Sequence, residues 1–115
     1  MRLRSAAVAA FGAFTLLLAV PSSASAAMGE FQYTFVGLDG TPQQASLHDP
    51  ASGECVNLPE VSDPSASEPA HSPRNRTTST ATVFTEPDCT GDEFSLRPVT
   101  GRGSERLKVR SVVFS

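Results

Sequence analysis

The fold of this chain is decided by the stretch STATVFTEPDCTG, residues 79–91, in which a β-branched run leads into a turn. Thr and Val are enriched in strands because their branched side chains fit a pleated surface. Pro87 and Gly91 favour chain reversal. The stretch therefore predicts a strand over residues 77–85 followed by a tight turn, and this turn carries Cys89, one of the chain's two cysteines.

The other strands are predicted from alternation of apolar and polar residues, which puts one face of a strand on a core. Phe31, Tyr33 and Phe35 show this alternation at the start of the folded part. In the last strand, Leu107 and Val109 are expected on one side, with Lys108 and Arg110 on the other. Besides residues 77–85, the predicted strands are 31–35, 43–48, 54–59, 93–96 and 107–114.

Residues 60–76 have a different composition, with three prolines, several serines and few large apolar side chains. Such a segment buries too little apolar surface to order itself, so it is predicted to be a long surface loop. This loop would contain His71. It also contains Asn75, the first residue of an Asn-Arg-Thr glycosylation sequon, which we interpret as accidental.

The first 26 residues have the pattern of an export signal. Arg2 and Arg4 precede an apolar run, residues 6–20, and Ala24-Ser25-Ala26 is a small-residue cleavage site. An uncleaved membrane anchor is disfavoured because the run is short and Pro21 ends it. The pattern predicts a bacterial, secreted protein in which residues 27–115 form a single domain, with no membrane segment after cleavage.

A domain of this size has a limited apolar core and usually needs a further constraint. Cys55 and Cys89 both lie in the exported part, and an oxidising compartment favours a disulfide between them. A metal pair or a reactive thiol is the alternative, but the chain has no Cys-x-x-Cys and neither histidine is close to a cysteine in sequence. The disulfide should contribute about 3–4 kcal/mol in the chain-entropy model.

Charge is distributed unevenly along the chain. Loss of Arg2 and Arg4 with the signal changes the formal net charge from −3 to −5, which argues against nucleic acid as a partner. From residue 27 to 72 every charged residue is acidic, whereas all remaining Arg and Lys residues follow. The favoured interpretation is attraction between the two halves of the domain, and the alternative is a basic patch for an acidic partner.

The motif Phe84-x-x-x-x-Cys89-x-Gly91, followed by Ser111, resembles the Greek-key signature of the βγ-crystallin superfamily. The resemblance implies that Gly91 adopts a left-handed turn, that Phe84 packs over it, and that the Ser111 hydroxyl binds the backbone of the folded hairpin. Only glycine takes a positive φ freely, which suits the first role. Cys89 stands where a second aromatic is more usual.

A fainter repeat, Tyr33-x-x-x-x-Leu38-x-Gly40, would mark a first Greek key. Two keys would make an all-β, small antiparallel Greek-key β-sandwich with one disulfide. Another antiparallel meander with the same disulfide is the alternative.

Many members of the resembled family bind calcium through residues that precede the signature serine. Aligned on Ser111, those positions form a segment with three cationic and two apolar residues, 106–110. Calcium needs several oxygen ligands, so no calcium, other metal or cofactor is expected.

No catalytic motif is present. His48, His71 and Glu54 are the candidates for acid–base chemistry, but they form no recognisable pattern, so a secreted nuclease or hydrolase is the least favoured hypothesis. The favoured hypothesis is a non-catalytic binding or inhibitory module, since the crystallin fold is similar to that of small exported bacterial metalloprotease inhibitors. A secreted protease is then the partner class. The alternative is a structural or cell-envelope-associated protein, and no motif identifies the partner or the oligomeric state.

Overall fold

The computed structural model describes residues 26–115, which form two four-stranded antiparallel sheets. The strands are β1 (Gly29–Val36), β2 (Pro42–His48), β3 (Cys55–Asn57), β4 (His71–Thr77), β5 (Ala81–Glu86), β6 (Thr90–Leu96), β7 (Gly101–Arg102) and β8 (Ser111–Phe114). The predicted export signal, residues 1–26, lies outside the described residues except for Ala26. Within residues 26–115 no helix combines the length and hydropathy that a membrane crossing requires. The all-β prediction is confirmed.

Each half of the domain gives one strand to the sheet of the other half. The first sheet has the order β2-β1-β4-β7 and the second has the order β3-β8-β5-β6. Strand β3, from the first half, therefore pairs with β8, and β7, from the second half, pairs with β4. Because of this exchange, the two halves cannot separate without breaking both sheets.

The core lies between the two sheets. Phe31 of β1 meets Phe114 of β8 edge to face, with ring centroids 5.5 Å apart and an interplanar angle of 81°. Both side chains are fully buried, and Tyr33 extends the same inward face of β1. Burial of each large apolar side chain contributes about 1.5–3 kcal/mol, so this contact is a principal link between the sheets.

The prediction of a surface loop over residues 60–76 is wrong at its C-terminal end. His71–Thr77 is strand β4, and Pro59–Val61 is a 3-10 turn, so the irregular segment is limited to residues 62–70. A proline inside a strand between two neighbours is unusual because it cannot donate a ladder hydrogen bond. Here the β1–β4 register shifts opposite Pro73, between Gln32 and Thr34, and this bulge accommodates the missing N–H group.

The strand predicted over residues 77–85 begins later than expected, because a bend separates it from β4. Strand β4 ends at Thr77 and β5 begins at Ala81. Asn75, assigned from sequence to the loop, is fully buried, and its Nδ2 donates to the backbone oxygens of Ser79 at 2.7 Å and of Leu96 at 3.1 Å. The side chain thus holds the bend where the chain passes from the first sheet to the second, and the folded protein buries the sequon asparagine.

The predicted strand over residues 107–114 is also shorter than expected, since only Ser111–Phe114 forms β8. Val109 makes an isolated bridge with Ala70, and Arg110 is buried rather than exposed beside Lys108. The alternation of apolar and polar residues does not predict the burial of Arg110, because its guanidinium hydrogen-bonds to backbone oxygens inside the fold. The predicted strand over residues 54–59 likewise shortens to β3, whereas the strand predicted over 93–96 lengthens to β6.

Candidate functional site

The turn between β5 and β6 folds tightly over itself. Asp88, Cys89 and Gly91 all have positive φ values, of 60°, 55° and 84°. Asn57 holds this turn: its Oδ1 accepts from the Asp88 amide at 2.7 Å, and its Nδ2 donates to Asp88 Oδ1 at 2.9 Å. Asn57 was not among the residues expected to matter, because nothing in its local sequence shows that β3 would join this sheet.

Ser111 connects β8 to the same turn. Its buried hydroxyl accepts a hydrogen bond from the Cys89 amide at 2.9 Å and donates one to the backbone oxygen of Glu86 at 2.6 Å. The atoms nearest to a side chain placed at Gly91 belong to Thr85 and Glu86. The packing of Phe84, which is half-buried, over Gly91 stays a prediction.

The predicted disulfide is confirmed. Cys55 of β3 and Cys89 of the turn are joined by an S–S bond of 2.06 Å, with their Cα atoms 6.0 Å apart. The bond links the exchanged strand of the first half to the folded hairpin of the second half. It therefore reinforces the link between the two halves within the second sheet and is a structural element.

The turn between β1 and β2 presents Leu38 at its tip. The relative exposure of Leu38 is 106%, the largest among the exposed apolar side chains of residues 26–115. Asp39 Oδ1 accepts hydrogen bonds from the Thr41 amide at 3.0 Å and the Thr41 hydroxyl at 2.7 Å. The hydroxyl and amide of Thr41 lower the pKa of Asp39. These hydrogen bonds order the turn, and the apolar side chain of Leu38 projects from it into water.

The segment 62–70 lies beside this turn and is held by buried contacts. The Arg110 guanidinium donates to the backbone oxygens of Val61 at 2.9 Å and of Ser67 at 2.8 Å. The pKa of Asp63 is lowered, chiefly by hydrogen bonds from the Ser65 hydroxyl and amide and in smaller part by the charge of Arg110. Although the segment is irregular, its middle is anchored to the core.

Tyr33 fixes the 3-10 turn that precedes the same segment. Its hydroxyl donates to Glu60 Oε1 at 2.6 Å, and burial followed by this hydrogen bond raises the tyrosine pKa. Between the Leu38 turn and the anchored segment lies a groove of about 590 Å³. Its apolar wall includes Phe35 and Val36, and its opposite wall carries Glu60, Asp63 and Glu68. The groove is therefore apolar on one side and acidic on the other.

The histidines do not assemble a recognisable catalytic group. His48 contacts Glu30, with Nδ1 to Oε1 at 3.5 Å, on an exposed part of the first sheet. His71 lies in β4 rather than in the loop, and its Nδ1 is 2.9 Å from Ser72 Oγ. Within residues 26–115 no carboxylate hydrogen-bonds to His71, and no three His, Cys, Asp or Glu side chains form a group suited to a metal ion.

The expected attraction between the two halves takes a different form from direct ion pairing. In the part of the chain that the structure describes, no arginine or lysine forms an ion pair with a carboxylate. Arg110, from the second half, contacts the first half through the backbone oxygens of Val61 and Ser67, and its charge acts on Asp63.

Comparisons of the chain with protein-family models, curated proteins and solved structures found no match. The fold and site define a disulfide-linked, two-sheet all-β protein with an exposed leucine turn. A proposal for its function therefore depends on the geometry of its own residues.

Proposed function

We propose that the chain is a two-Greek-key domain of the βγ-crystallin type. A Greek key brings the fourth of four consecutive antiparallel strands beside the first. Strand β4 lies beside β1, and β8 lies beside β5, so each half meets this criterion although its third strand joins the other sheet. The internal repeat supports the proposal further, because Gly40 and Gly91 hold equivalent places in the two motifs and have φ values of 82° and 84°.

The function that the geometry supports best is that of a secreted, non-catalytic binding module that inhibits an extracellular protease. The observation that carries this proposal is the complete exposure of Leu38. An isolated leucine at the tip of an ordered turn has the shape of an anchor that fills an apolar pocket. Such pockets are the specificity sites of many proteases, and an anchor ordered in advance loses little conformational entropy on binding.

The support beneath the turn suits this role. Gly37 and Thr41 close the turn through the Gly37 amide, which donates to the Thr41 backbone oxygen at 2.9 Å. The anchored segment 62–70 forms a second wall that an approaching protein would contact together with Leu38. We infer that the two elements form one contact surface, with the leucine at its centre and carboxylates at its rim.

Titration of a fixed amount of protease with the purified protein tests this function. A thermolysin-type metalloprotease and a subtilisin-type serine protease are suitable probes, along with the secreted proteases of the producing cells. We expect one of them to lose activity with a stoichiometric end point. Leu38→Asp should weaken the inhibition at least about tenfold, since burying an unpaired carboxylate in an apolar pocket is costly.

Met28→Asp is the matched control, because Met28 is another exposed apolar side chain, at 66% exposure, and lies outside the groove. It should leave inhibition unchanged. Absence of saturable inhibition across the probes would contradict the inhibitory function, and equal losses in both variants would contradict the role of Leu38. Recovery of wall polymer alone from the producing cells would favour the structural or envelope-associated alternative.

A further inference from the structure

Three arginines are gathered on the outer face of the first sheet. In β4 the side chains of Arg74 and Arg76 are exposed, while the alternate residues Pro73, Asn75 and Thr77 are buried. Strand β7 then places Arg102 directly opposite Arg74. Residues two apart on a strand are about 6.6–6.8 Å apart, and directly opposite Cα atoms are about 5 Å apart. The three cationic side chains therefore project from neighbouring points on one surface, which we call the arginine face.

In the described chain no carboxylate lies within ion-pairing distance of the arginine face. Like charges directly opposite each other on a sheet are destabilising. The nearest acid in the strand register is Glu30, which is paired with Arg76 in the ladder, but the carboxylate contacts His48 instead. The domain has more acidic than basic residues, yet three of its arginines are neighbours on one face. Repulsion between these guanidinium groups lowers the stability of the fold.

Grooves and hydrogen-bonding side chains surround these arginines. One groove, of about 390 Å³, is lined by Arg74, Arg76, Arg102 and the loop before β7. A second groove, of about 210 Å³, shares Arg74 and adds the side chains of Gln32, Thr34, Gln44 and Ser72. The two grooves meet at Arg74. Guanidinium groups and neutral amide and hydroxyl groups therefore form one continuous polar surface.

The rim of the first groove has a strained backbone. Val99 is exposed, has a φ of 66°, and is the central residue of a tight turn in which the Thr100 amide donates to the Pro98 oxygen at 2.7 Å. Positive φ is costly for a β-branched residue, and such strain concentrates at binding sites. The Val99 amide also donates to the Thr77 oxygen at 2.9 Å, which holds the strained turn against the end of β4.

We propose that the arginine face binds an acidic polysaccharide. The guanidinium groups pair with carboxylates of the polymer, and the amide and hydroxyl side chains around Gln32 and Gln44 hydrogen-bond to its sugar hydroxyls. An acidic peptide fits less well, because the grooves offer its side chains little apolar surface beyond Val99. A single-stranded nucleic acid also fits less well, because its bases stack on aromatic side chains and the one aromatic residue among the groove linings, Tyr33, is buried.

The arginine face shares no lining residue with the groove beside Leu38. Binding of the polysaccharide is therefore independent of protease inhibition. The two activities would allow the protein to be retained at a polymer-rich surface while its leucine turn engages a partner.

Affinity measurements with polygalacturonate, a polymer of carboxylated sugars, test the proposal. The wild-type protein should bind polygalacturonate, should not bind neutral dextran, and should bind more weakly as salt is added. The double variant R74Q/R102Q should lose at least about tenfold in affinity, because each guanidinium makes a charge-assisted contact. The thermal midpoint of this double variant should be unchanged or higher, since a repulsive pair has been removed. A midpoint that does not fall shows that unfolding is not the cause of the lost affinity.

The matched control is R106Q/K108Q, which changes the net charge equally at two exposed cations outside the arginine face. It should change the affinity for polygalacturonate less than about twofold. Leu38→Asp should bind polygalacturonate as the wild type does. The polysaccharide proposal is therefore tested even if the protein proves not to inhibit a protease. Equal losses in both double variants, no binding of polygalacturonate, or tighter binding of polyglutamate or single-stranded DNA would overturn the proposal.

Discussion

The guanidinium of Arg110 donates a hydrogen bond to the backbone oxygen of Ser67 across 43 positions of sequence, at 2.8 Å. The same group donates to the Val61 oxygen at 2.9 Å, and the arginine is only 7% exposed. A buried cation thus satisfies backbone oxygens at Val61 and Ser67. The segment 62–70 is ordered by this contact together with its own hydrogen bonds around Asp63.

Arg110→Met should destabilise the domain by about 2–4 kcal/mol, because buried backbone oxygens lose charge-assisted hydrogen bonds. Urea unfolding measures the loss. Arg106→Met is the control, since Arg106 is exposed, and it should change the free energy of unfolding by less than about 0.5 kcal/mol. Similar effects in the two variants would show that Arg110 does not anchor the segment.

Ser111→Ala should destabilise by about 1–3 kcal/mol, because the Cys89 amide and the Glu86 oxygen lose the hydroxyl that satisfies them both. Ser95→Ala, in the exposed part of β6, should cost less than about 0.5 kcal/mol. Chemical denaturation of both variants provides the comparison. A loss of stability in Ser111→Ala no larger than that in Ser95→Ala would contradict a stabilising role for the Ser111 hydroxyl.

Removal of the disulfide by the double substitution C55S/C89S should lower the free energy of unfolding by about 3–4 kcal/mol, since the two cysteines are 34 residues apart. Wild-type protein treated with dithiothreitol should show the same loss. The reductant should leave the double variant unaffected, which controls for unrelated effects. Complete alkylation of both thiols in the untreated native protein would contradict the bond in solution.

Gly91→Val should destabilise by about 1–3 kcal/mol, because a β-branched residue at positive φ is strained and its side chain would meet Thr85 and Glu86. Gly53→Val separates the two causes. Gly53 has a φ of 78° but open space around it, so its variant carries the strain without the collision and should cost less. Urea unfolding measures both variants, and the midpoint of Gly91→Val should be the lower of the two. A Gly91→Val variant as stable as the wild type would contradict the expected strain and collision.

The thermal midpoint should be the same in millimolar calcium as in chelator. The positions where the resembled family carries calcium ligands hold residues 106–110. Arg110 already occupies the backbone oxygens of Val61 and Ser67, and a guanidinium repels a dication. Scanning calorimetry with magnesium as an ionic control measures this. A calcium-specific rise of several degrees would show that the alignment on Ser111 is misplaced.

Local chemistry explains which parts of the site were predictable. The motif that ends in Gly40 drew attention to Leu38, although as part of a fold signature rather than as an exposed anchor. The reversal near Gly91 follows from turn-forming residues, and the disulfide follows from two cysteines in a chain whose sequence predicts export. The uneven charge offered a basic patch for an acidic partner as an alternative, but it could not locate the arginine face, because Arg74 and Arg102 are distant in sequence and Arg74 belonged to an expected loop.

The amino-acid sequence by itself determined the β class, the hairpin turn and the cysteine pairing, since alternation, turn propensity and redox chemistry act over a few residues or on composition. Only the tertiary structure decided that Pro73 would lie in a strand, that Arg110 would be buried, and that Arg102 would face Arg74. Pro73 depends on the pairing of β4 with β1, Arg110 on contacts with Val61 and Ser67, and Arg102 on the exchanged strand β7. The physical reason is that these surroundings are set by contacts between residues far apart in the chain, which no local pattern specifies.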